Sequence, residues 1–174
     1  RQLRIDKTLQ RISGAGLVVS ETKTSRGRRT MVLPVIAAEA LRSIHRLVSY
    51  ARASILLFEF DKGIARYLSV DSPGTVGLPQ GSVIPLEKVG NVEELRVSQG
   101  VSLPDLSRDA AGSPMLKRLA AEGIRACLSM PLRAKSGLIG ELNLFGAQVG
   151  AFTPEHQEIA RDIANELAVA IHYA

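Results

Sequence analysis

The residues best suited to chemistry fall on two short runs close together in the chain. Arg125, Cys127 and Ser129 alternate along G-I-R-A-C-L-S-M-P-L (123–132), and Glu141, Asn143 and Phe145 alternate along L-I-G-E-L-N-L-F (138–145). Successive residues of a strand face opposite ways, so each triplet shares one side of its strand. The alternating residues Ile124, Ala126, Leu128 and Met130, with Leu138, Gly140, Leu142 and Leu144, make the other side apolar. A sheet face carrying a guanidinium, a thiol, a hydroxyl, a carboxylate and an amide needs water, a ligand or an internal network, because unpaired buried polar groups are costly. The set is not a catalytic constellation. No nucleophile has a plausible base nearby, no metal-ligand cluster occurs, and neither G-x-x-x-x-G-K-[ST] nor H-E-x-x-H is present. Cys127, in mid-strand, reads as a small buried hydrophobe rather than a redox switch. An enzyme built on Cys127 lacks its partners, so the isolated chain is not read as one.

The elements that must position these residues follow from periodicity. Arg133 to Gly137 links the two runs as a hairpin. Thr153-Pro154 supplies an N-cap followed by a proline at the first helical position. A helix then carries Ile159, Ile163, Leu167 and Ile171, with Ala160, Ala164 and Ala168 beside them. That alanine stripe is expected to lie against the apolar side of the hairpin. Upstream, Ala53–Phe60 reads as a central strand, Asp61-Lys62-Gly63 as a turn, Ile64–Val70 as its partner, and Ser72-Pro73-Gly74 as its close. Val83–Leu86 is a short edge strand, since Pro85 is tolerated only there. Asn91–Arg96 predicts one or two helical turns, and Val101–Ala111 a loop with an extended start. Ser113-Pro114 caps a helix carrying Met115, Leu116 and Leu119 and ending at Gly123. Pro34 opens another helix with Ile36, Ala40, Leu41, Ile44, Leu47 and Val48 on one side. Leu3, Ile5, Leu9 and Ile12 have loose helical spacing, which predicts a helix over 1–20 interrupted at Gly14 and Gly16, then a loop over 22–30. The sum is an α+β fold around a mainly antiparallel sheet of five or six strands.

Composition bounds the function. At 174 residues the chain fits one domain with an aliphatic core, having no Trp and 4% aromatic residues. A chain of this size buries roughly 70% of its unfolded surface. No apolar run approaches the ~20 residues that span a bilayer. There is no signal-peptide layout, and the chain reads as a piece of a longer protein. Cys127, the single cysteine, forms no internal disulfide and suits a reducing, cytoplasmic setting. The net charge of +5 is uneven: the first thirty residues hold eight basic residues against Asp6 and Glu21, a local +6, which leaves −1 for the rest. No aromatics interleave with these charges, so the arm reads as a solvated segment, with no clear nucleic-acid or membrane contact.

The order E-G-I-R-A-C-L-S-M-P-L, turn, L-I-G-E-L-N-L, F-T-P-E and I-A-R-D-I-A-N-E-L-A-V-A-I strongly resembles the second half of a GAF domain. The resemblance is dense over 113–172 and looser over 33–105. It implies a GAF/PAS-like arrangement, with long terminal helices on one sheet face and short helices and loops over a pocket on the other. It divides the chain into a basic helix-and-loop linker over 1–32 and a GAF domain over 33–174. It places Phe58, Cys127, Ser129 and Asn143 near the pocket, and Asp105 in the loop that closes it; Arg125 and Phe145 join them as candidates by sharing the polar side of the hairpin. No cofactor is identified, and the ligand is an unknown small molecule. Bilin-binding members surround their pyrrole rings with histidines, and here Met115 and Phe145 stand at those positions, which argues against bilin. Haem needs an axial ligand, and His45, His156 and His172 all lie on predicted terminal helices. No metal site is expected.

The function implied is a non-catalytic small-molecule-sensing and dimerisation domain of a bacterial-type signalling protein, foremost the sensor region of a two-component histidine kinase. It would form a homodimer through its terminal helices, whose wide apolar sides are not expected to fit together on one small sheet, and pass its signal to an output domain beyond Ala174. The alternatives are an interaction-only GAF module without ligand, or a regulatory domain of a transcription regulator or cyclic-dinucleotide enzyme.

Overall fold

Six antiparallel strands form the central sheet, and the apolar alternation of two of them decides which face each helix covers. The computed structural model describes residues 2–5, 7–12, 16–21, 29–72, 79–109 and 114–173, with side chains from Leu33 onward and Asp109 by backbone only. The sheet contains β5 (Arg52–Glu59), β6 (Ile64–Asp71), β7 (Val83–Pro85), β8 (Val101–Leu103), β9 (Ala126–Ala134) and β10 (Gly137–Gly146), in the order β7-β6-β5-β10-β9-β8. As expected of a proline-bearing strand, β7 lies at an edge. The expected α+β class holds, with every pairing antiparallel.

Two helices cover one face. In α1 (Leu33–His45) the residues Ala37, Leu41 and Ile44 are buried, and in α5 (Pro154–His172) Ala160, Ala164, Leu167, Ala168 and Ile171 are. They join Ala126, Leu128, Met130, Leu132, Leu142 and Leu144 in a single apolar cluster. The expected meeting of the alanine stripe with the even-numbered side of the hairpin is what forms. Thr153 caps α5 by accepting from the His156 backbone N–H at 3.2 Å. His156 closes the box through Nδ1, which accepts the Thr153 N–H at 3.4 Å. Tyr50 ties α1 to the sheet, donating its hydroxyl to the Asp71 carboxylate at 2.6 Å and lying 3.1 Å from the Leu41 carbonyl.

The other face carries short elements: α2 (Val92–Val97), α3 (Leu106–Asp109) and α4 (Pro114–Ala121). Arg133 holds α2 against β9. Its guanidinium donates to the carbonyls of Arg96 at 3.0 Å, Ser98 at 2.8 Å and Leu95, the groups that a helix end leaves unpartnered. Gly123, with φ +92°, turns the chain out of α4 in a conformation that favours glycine. The Ser113 cap lies outside the described residues, as do Pro73 and Gly74.

Four expectations need correction. The described part of 1–20 is strand, not helix: β1 (Gln2–Ile5), β2 (Lys7–Ile12) and β3 (Gly16–Glu21) are followed by β4 (Arg29–Val32), with β1 paired to β4 and β2 to β3. Gly16 opens β3, and β-branched Thr8, Val18 and Val19 favour extended backbone. The expected loop over 22–30 falls mostly outside the described residues, and its last two begin β4. Leu138 does not join the helix-facing side but packs with Leu56 and Phe58, while Ile139 packs toward the helices. A β-bulge between Leu138 and Gly140 reverses the alternation there. Ile124 precedes β9 and packs with Leu119, Cys127 and Phe145. Finally, one sheet accommodates both terminal helices: α1 and α5 pack their buried apolar residues into the same cluster with β9 and β10.

At Gly140 a Cβ would stand 2.1 Å from the Leu56 carbonyl oxygen, so β5 and β10 approach closely only because no side chain intervenes. Gly140→Ala should therefore lower unfolding stability by about 1–3 kcal/mol or more, read from urea denaturation. An unchanged midpoint would show that the strand pair yields freely.

Candidate functional site

Cross-strand register assembles the polar face into rows. Asn143 on β10 stands opposite Ser54 on β5 and Ser129 on β9, and Ser129 faces Val101 on β8. The next row runs Arg52, Phe145, Cys127, Leu103, and on the other side Leu56, Glu141 and Pro131 align. Ser54, Ser129, Glu141 and Asn143 are all buried. The Ser129 hydroxyl donates to Asn143 Oδ1 at 2.5 Å, and Cys127 Sγ lies 3.8 Å from the same hydroxyl. Asn143 and Asn91 in turn hydrogen-bond the Glu141 carboxylate. Glu141 Oε2 nevertheless has no hydrogen-bond partner, and neither has Asn91 Oδ1.

Two adjoining cavities lie over these rows. The larger, about 740 Å³, runs between the sheet, the 87–94 segment and α4, and is lined by Val101, Leu116, Cys127 and Ser129 among others. The smaller, about 170 Å³, lies toward β5 and β6, over Arg52, Ser54, Leu56 and Tyr67. Val89, Met115, Glu141, Asn143 and Phe145 line both, which makes them two lobes over one floor. The volume of the larger lobe falls within the range of small-molecule sites.

Burial dominates the electrostatics. Glu141 is fully enclosed, and loss of hydration pushes its carboxyl up to about 7 against the pull of the Asn143 and Asn91 amides. Burial likewise pushes the Cys127 thiol up to about 12, slightly opposed by Ser129. Such a thiol holds almost no thiolate near neutrality and is a poor nucleophile. The Tyr67 phenol is raised by the same loss of hydration. The Arg52 guanidinium lies over the Phe145 ring, 5.9 Å from its centre. Among the described residues no group of His, Cys, Asp and Glu is placed to hold a metal ion.

The expected site residues divide in two. Cys127, Ser129, Asn143 and Phe145 line the larger cavity. Phe58 lies on the same face but farther along β5, packed in another apolar cluster and edge-on to Phe60 at 5.8 Å. Arg125 precedes β9, is exposed, and donates to the carbonyl of Ala120 at 2.7 Å. Asp105 stands ahead of α3, accepting from the backbone N–H of Ser107 at 3.0 Å and from its hydroxyl at 2.6 Å. The Ser107 hydroxyl, more than any other group, holds the Asp105 carboxyl below its ordinary range. None of these three is among the cavity-lining residues. Arg52, Ser54, Tyr67 and Asn91 also line the cavity, although the sequence pattern does not single them out as site residues. The polar alternation of Arg52 and Ser54 with Ala53 and Ile55 was the available signal.

The profile of the GAF domain family matches residues 33–171. No curated protein matches the sequence. Among solved structures, the GAF domain of a two-component sensor histidine kinase from Bacillus halodurans superposes with a TM-score of 0.69 at 22% identity, over 82% of this chain and 95% of that one. The GAF domain/HD domain protein from Geobacter sulfurreducens gives 0.68 at 16% identity, over 81% and 92%. The chromophore-binding domain of an unusual bacteriophytochrome from R. palustris gives 0.66 at 15% identity, and this chain spans 81% of itself but 55% of that domain. At these identities the likeness is one of fold. No helix among the described residues is long and apolar enough to cross a membrane.

A carboxyl with a raised folded-state pKa binds its proton more tightly folded than unfolded, so it lowers stability as pH climbs from the ordinary carboxylate range through about 7. Glu141→Gln removes this dependence. The stability difference between variant and parent should be near zero at about pH 4 and reach ~2–3 kcal/mol in favour of the variant above about pH 8. Paired denaturation curves measure it. A difference that stays flat with pH would mean that Glu141 is solvated.

Proposed function

The chain belongs to the GAF domain family, and from that premise we propose that it is a small-molecule-sensing domain of a signalling protein, with a two-component histidine kinase as the leading setting. The observation that carries this reading is the lidded cavity of about 740 Å³ over a buried polar floor. A fold that needed only to be stable would not leave the Glu141 carboxylate and the Asn91 amide oxygen facing inward without donors. Sensing follows from the layering. The cavity side of β9 and β10 and the α5 side are the two faces of the same strands, so a ligand that favours one packing of lid on sheet also biases the packing of sheet on α5. The shift cannot exceed the ligand's differential affinity for the two packings. The lack of a thiolate at Cys127 supports a non-catalytic role for this domain, and its buried free thiol suits a cytoplasmic setting. A phytochrome-type chromophore is the competing ligand class. It is disfavoured because Met115 and Phe145 line the cavity where the resemblance calls for histidines.

Ser129 and Asn143 satisfy one another, which favours the second reading, an interaction-only module. Thermal-shift screening of a broad metabolite panel separates the two, because a ligand that binds only the folded state raises the melting midpoint by mass action. A hit abolished by Met115→Trp, which fills the cavity, supports sensing. Silence across the panel supports interaction alone.

Dimerisation is part of the same proposal. It draws on the exposed apolar residues Val35 of α1 and Val169 of α5, with Tyr173 just beyond α5. Sedimentation velocity should give a dimer at high micromolar concentration, weakened by Val169→Glu. A monomer throughout that range would end this part of the reading.

A further inference from the structure

The polar inventory of the larger lobe is lopsided. Two buried acceptors on its wall, Glu141 Oε2 and Asn91 Oδ1, have no donor. The nearby hydroxyl cannot supply one, because Ser129 already donates to Asn143. No described ion pair involves Glu141, and the Arg52 guanidinium, on the side of the smaller lobe, lies over the Phe145 ring. At the rim of the larger lobe Glu87 and Glu94 stand against Lys88 alone, all three exposed. Including Glu141, that lobe has three carboxylates for one ammonium, while Met115, Leu116 and Phe145 supply apolar walls. Buried acceptors without donors select a ligand that brings the donors, and a buried carboxylate selects one that also brings positive charge.

We propose that the cavity binds a small organic cation, an amine, amidine or guanidine with an apolar body, whose nitrogen donates to Glu141 Oε2 and Asn91 Oδ1. This rests on the sensing reading above and specifies its ligand. The Asn143 and Asn91 amides lie against the carboxylate and favour its charged form, so it is oriented before the ligand arrives. An amidine or guanidine fits best, since its planar N–H pairs reach two acceptors at once. An anionic ligand meets three carboxylates and is excluded from this lobe.

Benzamidine is the probe, with benzamide and benzoate as neutral and anionic shapes of nearly the same size. Benzamidine should raise the melting midpoint of the parent protein in a concentration-dependent way, and benzamide and benzoate should not. Glu141→Gln should weaken benzamidine roughly ten- to hundredfold, the loss of one charge-assisted hydrogen bond. Asn91→Ala should weaken it severalfold. The melting transition reports whether each variant is folded, so if one is not, the other carries the test. Equal stabilisation by benzamide, or benzamidine binding indifferent to both variants, would overturn the proposal. So would silence of benzamidine, phenethylamine and agmatine together. In that case a neutral or anionic hit from the wider panel, abolished by Met115→Trp, would leave the sensing reading standing, and silence of the whole panel would remove both.

Discussion

The contact between the alanine stripe of α5 and the even-numbered residues of β9 governs everything on the far side of the sheet. Ala160, Ala164 and Ala168 are small enough to let the helix lie close on Ala126, Leu128, Met130 and Leu132, and all seven are almost wholly buried. Strand side chains repeat every two residues, so committing one set to the helix commits the other to the lid. A slip of one residue would bring Ser129 and Cys127 under α5 and expose Leu128 to the cavity. Such a slip would strand polar groups in the larger apolar cluster, which is why the register is held firmly.

The polar floor is what that commitment produces. An enclosed carboxylate with one unpartnered oxygen opposes folding near neutrality, in a molecule whose total stability belongs to a class of about 5–15 kcal/mol. Groups that weaken the fold without rescue from a local partner gather where proteins bind or react. Glu141 fits that pattern, since its cost arises from burial and its nearest helpers are neutral amides. The thiol beside it follows the same physics with a different outcome. Raised by burial, Cys127 becomes inert and contributes shape rather than reactivity.

The lid is fastened unevenly. Charge-assisted hydrogen bonds from Arg133 clamp α2 to the end of β9. Helix α4 is held by the apolar contacts of Leu119, Met115 and Leu116 and, at its C-terminal end, by the Arg125 guanidinium, which donates to the Ala120 carbonyl. Non-directional contacts tolerate sliding better than a guanidinium fork does. The Met115 end of α4, packed through apolar contact, is thus the part of the lid where a change in occupancy most readily becomes a change in packing.

Local features were readable from residue order because they depend on near neighbours. Thr153-Pro154 announces the start of α5, Gly123 the end of α4, and the Cys127–Ser129 alternation a two-sided strand. The same reasoning misjudged residues 1–20, where leucine and isoleucine spacing fits either period, and Leu138, where a bulge reverses the faces. It also assigned Arg125 to the pocket by alternation, although the strand begins one residue later. What residue order could not supply was lateral company: Arg52 beside Phe145, Ser54 beside Asn143, and Asn91 within reach of Glu141. Those meetings depend on how strands far apart in the chain align and on where a loop settles across them. Hydrogen-bond register and closure of the lid set such distances, and neither leaves a trace in the spacing of neighbouring residues.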